Sequence, residues 1–166
     1  MPVSTADRYR RWFDYEKDAH QKVLQSIHAT ADAQRSSPSF QKAVDLFAHM
    51  MAARRLWLFR FGVAKQAPLD LFPHGVPEEA LVSLAEQTHS AWSEYFASLD
   101  EAEAARVFEY ASLDGPRYRN TVEDILTQLF GHSWYHRGQI ALLLRSSGSE
   151  PAPTDFVFWC RELTST

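Results

Sequence analysis

Residues 131–139 read GHSWYHRGQ, and they lie between Thr121 and Gly148 in a segment whose apolar residues recur at helical spacing. His132 and His136 are four positions apart in this stretch, so a helix projects both rings from one face. Two imidazoles placed in this way can share one metal ion, while a third ligand comes from another helix. The stretch therefore predicts a long helix that carries two ligands of a metal site.

The spacing alone leaves a second interpretation open. With seven histidines in 166 residues, random placement gives about 0.3 pairs of this spacing per chain, so the two rings can equally be structural and hydrogen-bonded. His49, His20 and His89 lie on or beside the apolar faces of other predicted helices, and each is a candidate third ligand. His74, in a proline-flanked loop, is expected to face solvent, and His28 is expected to be a cation at the C-terminal end of a helix.

Apolar residues recurring at three and four positions predict four long helices. The first covers residues 5–31 and the second covers residues 40–61. The third runs from Pro77 to about Ser98, and the fourth is the one between Thr121 and Gly148. Amphipathic helices of this number bury their apolar faces best as a bundle, so the sequence predicts an all-α fold.

The segments between these helices predict a long loop, a hairpin and a short closing helix. Residues 62–76 hold two glycines and two prolines and are expected to form the loop. Aromatic residues on both sides of a turn within residues 107–119 predict a small extended excursion or hairpin. A short helix is expected to begin near Thr154. The length of the chain fits one domain over residues 1–166.

Composition argues against several classes of protein. The net charge of −4 and the pI near 6.0 offer no basic surface for nucleic acid. No segment approaches the roughly 18 consecutive apolar residues of a membrane span, so we expect no membrane partner. The single cysteine, Cys160, rules out an intramolecular disulfide and favours the cytoplasm. We expect its thiol to be buried as a small apolar group.

Two stretches carry a family resemblance. Residues 131–141, GHSWYHRGQIA, resemble the most characteristic segment of the DinB/YfiT-like superfamily, the DNA-damage-inducible DinB metalloproteins. Residues 49–58, HMMAARRLWL, resemble its second-helix motif, and the similarity extends over nearly the whole chain in helix order and length. The resemblance implies an up-down-down-up four-helix bundle with a small insert and a short C-terminal helix. It also implies that His49, His132 and His136 are the metal ligands, with water completing the coordination.

Three residues depart from the family pattern. The family often has an acidic residue where this chain has Arg54, and often histidines where it has Gln128 and Tyr135. We interpret these residues as supporting the ligands or facing a substrate.

Three further residues lie next to the predicted ligands in the sequence. Asp45 precedes His49 by one helical turn, so its carboxylate either accepts a hydrogen bond from the His49 ring or faces solvent. Arg137 either binds an anion at the mouth of the site or forms an ion pair with another helix, and we favour the ion pair. Gly138 is expected to mark a close contact between helices, because glycine otherwise destabilises a helix.

Three neutral imidazoles would leave a divalent ion with its full charge and an open position, as in catalytic rather than structural zinc sites. Zinc and nickel both suit such ligands. The resemblance implies a homodimeric, metal-dependent thiol S-transferase or hydrolase that uses a small-molecule thiol and an electrophilic substrate. A non-catalytic metal-binding stress-response protein is the alternative, and a plain structural bundle with incidental histidines is a third. No catalytic residue beyond the ligands is assigned.

Overall fold

A computed structural model describes residues 3–164, which form an all-α fold with one small sheet. Its long helices are α1 (Thr5–His28), α3 (Pro38–Arg60), α4 (Ala80–Ser98) and α6 (Val122–Ser146). The other elements are α2 (Asp32–Arg35), α5 (Glu101–Ala105), β1 (Val107–Ala111), β2 (Arg117–Thr121) and α7 (Phe156–Cys160). The predicted all-α class is confirmed. Helices α2 and α5 were not predicted, because four or five residues are too short to show a helical period.

Local signals determine where α6 begins and ends. The Thr121 hydroxyl accepts a hydrogen bond from the Asp124 backbone N–H at 3.1 Å, and the Asp124 carboxylate accepts one from the Thr121 N–H at 3.1 Å. This reciprocal pair satisfies two N–H groups that the first helical turn leaves free. The helix ends before Gly148, whose φ of +90° favours glycine. Helix α4 begins at Ala80 rather than at Pro77 as predicted, and no side chain caps its start.

The four long helices close into a ring. Helix α3 packs on α4 and α6, and α1 also packs on α4 and α6. Apolar side chains fill the interior in two clusters, one around Trp92 and Phe130 and the other around Phe47 and Met50. The up-down-down-up order of the helices stays a prediction. Within residues 3–164 no helix combines the length and the apolar character needed to cross a membrane.

The predicted hairpin is confirmed between α5 and α6. Strands β1 and β2 pair in antiparallel fashion, with Val107 opposite Thr121 and Ala111 opposite Arg117. The turn between the strands uses Gly115, whose φ is +105°. The closing helix α7 is also present, but it has no buried residue, and Cys160 is only partly buried rather than a core residue.

Gly138 is exposed on α6, and the expectation of a close helix contact there is wrong. A Cβ added to Gly138 meets no atom within 4 Å.

We therefore expect Gly138→Ala to raise the free energy of unfolding by about 0.5 to 1 kcal/mol in urea titrations, because alanine favours a helix interior. Gly148→Ala is the matched control. Its Cβ would lie 2.6 Å from Gln34 Nε2 at a positive φ, so a loss of about 1 to 2 kcal/mol is expected there. A destabilised Gly138→Ala protein would contradict the open surroundings.

Candidate metal centre

Packing of α3 against α6 brings three histidines together. His49 Nε2 lies 3.2 Å from His132 Nε2, and His136 Nε2 lies 3.0 Å from the same atom. One ring nitrogen from each residue falls within 4.8 Å of the other two. Nitrogens bound to one ion at 2.0–2.1 Å stand about 2.9 to 3.4 Å apart for coordination angles between octahedral and tetrahedral values. The observed spacing therefore fits a shared ion.

Hydrogen bonds made by Nδ1 of His49 and of His136 determine which nitrogen of each ring carries the lone pair. His49 Nδ1 lies 2.6 Å from the Leu71 carbonyl oxygen, and His136 Nδ1 lies 2.7 Å from Gln139 Oε1. Both oxygens only accept, so each Nδ1 carries a proton and each Nε2 of a neutral ring presents a lone pair. Both lone pairs face His132 Nε2, which has at most one proton to donate. A cation between the three rings would satisfy all of these nitrogens.

The environment keeps two of these rings neutral at physiological pH. Burial, together with the nearby His136 and His49, lowers the pKa of His132 to about 4. Burial also lowers the pKa of His136, although the hydrogen bond to Gln139 acts in the opposite direction. A metal ion binds only the neutral imidazole. At pH 7 these two rings therefore need to release no proton before they bind a metal ion.

The long loop predicted over residues 62–76 holds the His49 ring from outside the bundle. Besides the hydrogen bond to the Leu71 carbonyl, the Phe72 ring stacks on the imidazole with a centroid distance of 4.9 Å and an interplanar angle of 12°. Phe72 itself is 59% exposed. Backbone carbonyls and a single loop phenylalanine leave no signal in the sequence, so neither contact was predicted.

Asp45 makes no hydrogen bond to the His49 ring, although it lines a small pocket together with His49 and His136. Its carboxylate accepts hydrogen bonds from the backbone N–H groups of Gly75 at 3.1 Å and Val76 at 2.9 Å. The residue is half-buried rather than solvent-exposed. Asp45 thus ties the end of the loop to α3, while the Leu71 carbonyl is the acceptor at His49 that we considered as one of two alternatives for Asp45.

A cavity of about 590 Å³ opens beside the three histidines. Much of its wall is apolar and includes Leu56, Trp57 and Tyr110. Gln128 is exposed and contributes to this wall, so it faces any ligand that enters. Tyr135 is 65% exposed, and its ring centroid lies 5.1 Å from that of His136. The open side of the histidine cluster therefore faces a space large enough for a small organic molecule.

Comparison with known families agrees with this geometry. The model of the DinB family matches residues 1–162 of the 166-residue chain. The chain belongs to the DinB family. The resemblance seen in residues 49–58 and 131–141 is thereby confirmed, and the three histidines of these stretches form a group compatible with metal binding. A search of the curated proteins found no match.

In this DinB family member Arg137 has neither of the two predicted roles. The side chain is 5% exposed, and its Nη2 donates hydrogen bonds to the Tyr15 hydroxyl and, at 3.5 Å, to the Thr154 carbonyl. Arg137 lines a different cavity from that of the histidines. Its Nε and Nη1 have no hydrogen-bond partner among the described residues. Arg137 therefore links α6 to α1 and to the C-terminal segment by hydrogen bonds.

Arg54 is buried and faces no substrate, contrary to one of our interpretations. It forms an ion pair with Glu16 of α1, and both side chains are 1% exposed. Its Nη2 also lies 3.3 Å from Ser133 Oγ and 3.4 Å from the Leu129 carbonyl oxygen. These contacts fix α3 against the turn of α6 that carries His132.

Glu16 is a buried charged residue that we did not predict. It occupies the apolar face of α1 between Phe13 and His20, at spacings of three and four, so the position itself was the available signal.

The other two candidates for the third ligand pair with each other. His20 Nδ1 lies 2.9 Å from His89 Nε2, and the two rings stack with a centroid distance of 5.2 Å. Burial lowers the pKa of His89 to about 4 and that of His20 well below its usual value. Both rings are therefore neutral members of a buried pair, and His49 is the histidine that joins the cluster on α6.

Proposed function

We propose that this protein binds one divalent metal ion through His49, His132 and His136 and acts as a metal-dependent thiol S-transferase or hydrolase. The observation that carries the proposal is the orientation of two Nε2 lone pairs toward His132 Nε2, at distances that suit a shared ion. Zinc and nickel are the ions we propose, because both suit imidazole ligands.

The chain supplies an environment in which such an ion stays reactive. A divalent ion held by three neutral rings keeps its charge and an open position, which lowers the pKa of a coordinated water or thiol. The Leu71 carbonyl and Phe72 hold the His49 ring in place, and Gln139 holds that of His136. The apolar wall of the neighbouring cavity limits the access of bulk water to a bound substrate.

Elemental analysis of protein purified without a metal-affinity tag tests the centre. We expect about one zinc or nickel per wild-type chain and nearly none in His49→Ala, because two ligands on one helix hold an ion weakly. His28→Ala is the control, since the His28 side chain is 85% exposed and outside the cluster. Stoichiometric metal in His49→Ala would refute the three-histidine centre.

Activity assays separate the two functions that a metal centre allows. Metal-loaded protein is expected either to conjugate a low-molecular-weight thiol to an electrophile or to hydrolyse the electrophile. The His49→Ala variant is expected to be inactive in both assays. Stoichiometric metal with neither conjugation across several cellular thiols nor hydrolysis of the electrophile would refute the enzyme and favour the non-catalytic metal-binding stress-response protein.

We also propose that residues 1–166 form one domain that assembles as a homodimer in the cytoplasm. The outer surface of α6 exposes Trp134, Tyr135 and Leu142 by 42%, 65% and 64%, which offers apolar area to a second copy. The single cysteine suits a reducing compartment. Analytical ultracentrifugation tests the assembly, and a monomer at micromolar concentration would refute it.

A further inference from the structure

The cavity beside the histidines has a fixed cation in its wall. Arg60 is the last residue of α3 and lines the same cavity as His49, Ala53 and Leu56. These residues follow one another at spacings of four, three and four, so they share one face of the helix. Arg60 follows His49 by eleven positions, which corresponds to about 16 Å along the helix axis. His49 and Arg60 are therefore well separated along the α3 side of the cavity.

The guanidinium of Arg60 is held in position by the hairpin and by α3. Its central carbon lies 4.6 Å from the ring centroid of Trp57 and 5.0 Å from that of Tyr110. Its Nη2 donates a hydrogen bond to the Ala111 carbonyl at 3.0 Å. Stacking on two aromatic rings and one backbone contact orient the planar group before any ligand arrives.

The contact with the hairpin leaves most hydrogen-bond donors of Arg60 free. A guanidinium has five N–H donors, and the Ala111 contact uses one of them. Arg60 belongs to none of the ion pairs found among residues 3–164. The remaining donors and the full positive charge are therefore available to a ligand in the cavity.

The rest of the cavity wall complements an anion with an apolar body. Leu56 and Trp57 lie between the histidine end and Arg60 along α3, and Tyr110 and Leu113 contribute from the hairpin. The carboxylate in the wall belongs to Asp114, which is exposed at the hairpin turn. With an ion on the histidines, the cavity has a positive charge at each end and apolar side chains between them.

We propose that this cavity binds an elongated organic anion. A donor group of the ligand faces the three histidines, an apolar body lies along Leu56 and Trp57, and a carboxylate pairs with the Arg60 guanidinium. The volume of about 590 Å³ suits a small molecule of this kind. The inference rests on the proposed metal centre for the histidine end and on Arg60 alone for the carboxylate end.

Calorimetric titration of the zinc-loaded protein with ω-mercaptohexanoate and ω-mercaptohexanol tests the carboxylate end. The two probes differ only in the terminal group, and shorter and longer homologues measure how the preference depends on the length of the ligand. Among the chain lengths, we expect the tightest-binding mercapto acid to bind about tenfold more tightly than the mercapto alcohol of the same length, as for a charge-assisted hydrogen bond. Arg60→Gln should reduce this advantage to about twofold or less, while zinc content stays unchanged. Arg8→Gln is the matched control, since Arg8 is a half-exposed surface arginine outside this cavity, and it should retain the preference.

Several outcomes would overturn the inference. Equal binding of acid and alcohol at every chain length, or an undiminished preference in Arg60→Gln, removes Arg60 as the anion site while leaving the metal centre intact. Arg60→Met serves as a second uncharged variant, with circular dichroism to establish folding. Added salt should also weaken the acid's advantage in the wild type, which requires no variant. A salt-independent advantage would contradict an ionic contact.

Absence of metal binding is distinguished from absence of the carboxylate site at Arg60. Zinc content is measured on the titrated samples, and absence of zinc in the wild type refutes the proposed function. In that case hexanoate and hexanol are titrated into the metal-free protein. A preference for hexanoate that Arg60→Gln abolishes supports the carboxylate site alone, and equal binding refutes it.

Discussion

Replacing Arg54 with methionine is expected to lower the free energy of unfolding by about 3 to 5 kcal/mol, because it leaves the buried carboxylate of Glu16 without its ion-pair partner. Both side chains are 1% exposed, so water cannot take the place of the guanidinium. Burial already raises the pKa of Glu16, and the positive charge of Arg54 opposes that rise. Urea titration at pH 7 measures the loss.

Two comparisons make this prediction specific. The double variant Glu16→Leu with Arg54→Met should recover much of the stability, since apolar groups of similar volume replace a buried ion pair at little net cost. Arg8→Met breaks the surface pair with Glu123, whose side chains are 49% and 43% exposed, and should cost about 1 kcal/mol or less. If Arg54→Met is no more harmful than Arg8→Met, the buried pair does not stabilise the fold as we infer.

Acid is expected to destabilise the metal-free protein strongly between about pH 6.5 and pH 4. Burial lowers the pKa of His132 and of His89 to about 4, and it also lowers those of His20 and His136. In the unfolded chain these rings titrate near pH 6.5, so below that pH the unfolded state binds more protons than the folded state. Their contribution to stability is complete above the unfolded pKa and is lost as the pH falls through the folded values.

The slope of stability against pH is the measurement that checks this expectation. Each proton that the unfolded state binds in excess adds about 1.4 kcal/mol per pH unit. The raised pKa of Glu16 acts in the opposite direction and reduces the total slope. His89→Gln removes one titrating ring, so its slope near pH 5 should fall by about one proton relative to the wild type. Equal slopes, or stability independent of pH over this range, would contradict the neutral buried pair of His20 and His89.

Part of the fold could be predicted because its signals are local. The reciprocal caps of Thr121 and Asp124 and the stop at Gly148 define α6 within a few residues of its true ends. The hairpin followed from aromatic runs on either side of a turn. Helix α4 was misplaced by three residues at its start, because a proline and two acidic residues suit a turn as well as a first helical turn.

The candidate site was predictable only in part. The family resemblance was needed to choose His49, which lies far from His132 and His136 in the sequence. Spacing placed His132 and His136 on one face, but it left His20 and His89 as competitors of His49 for the third ligand. Glu16 was overlooked although it interrupts the apolar face of α1, since a carboxylate there can equally well reach solvent. The same spacing argument made Asp45 one candidate acceptor for His49, whereas its carboxylate binds the backbone N–H groups of Gly75 and Val76.

The sequence by itself determined the long helices, their caps and the shared face of His132 and His136, because helical period and capping depend on residues within a few positions of each other. The residue patterns of the chain left the third ligand open, and tertiary structure decided that His49 joins this face while His20 pairs with His89, since that choice depends on which helix surfaces pack together. It also brought the Leu71 carbonyl to the His49 ring and Arg60 to the hairpin. Contacts between segments far apart in the chain follow from packing as a whole, and no local pattern encodes them.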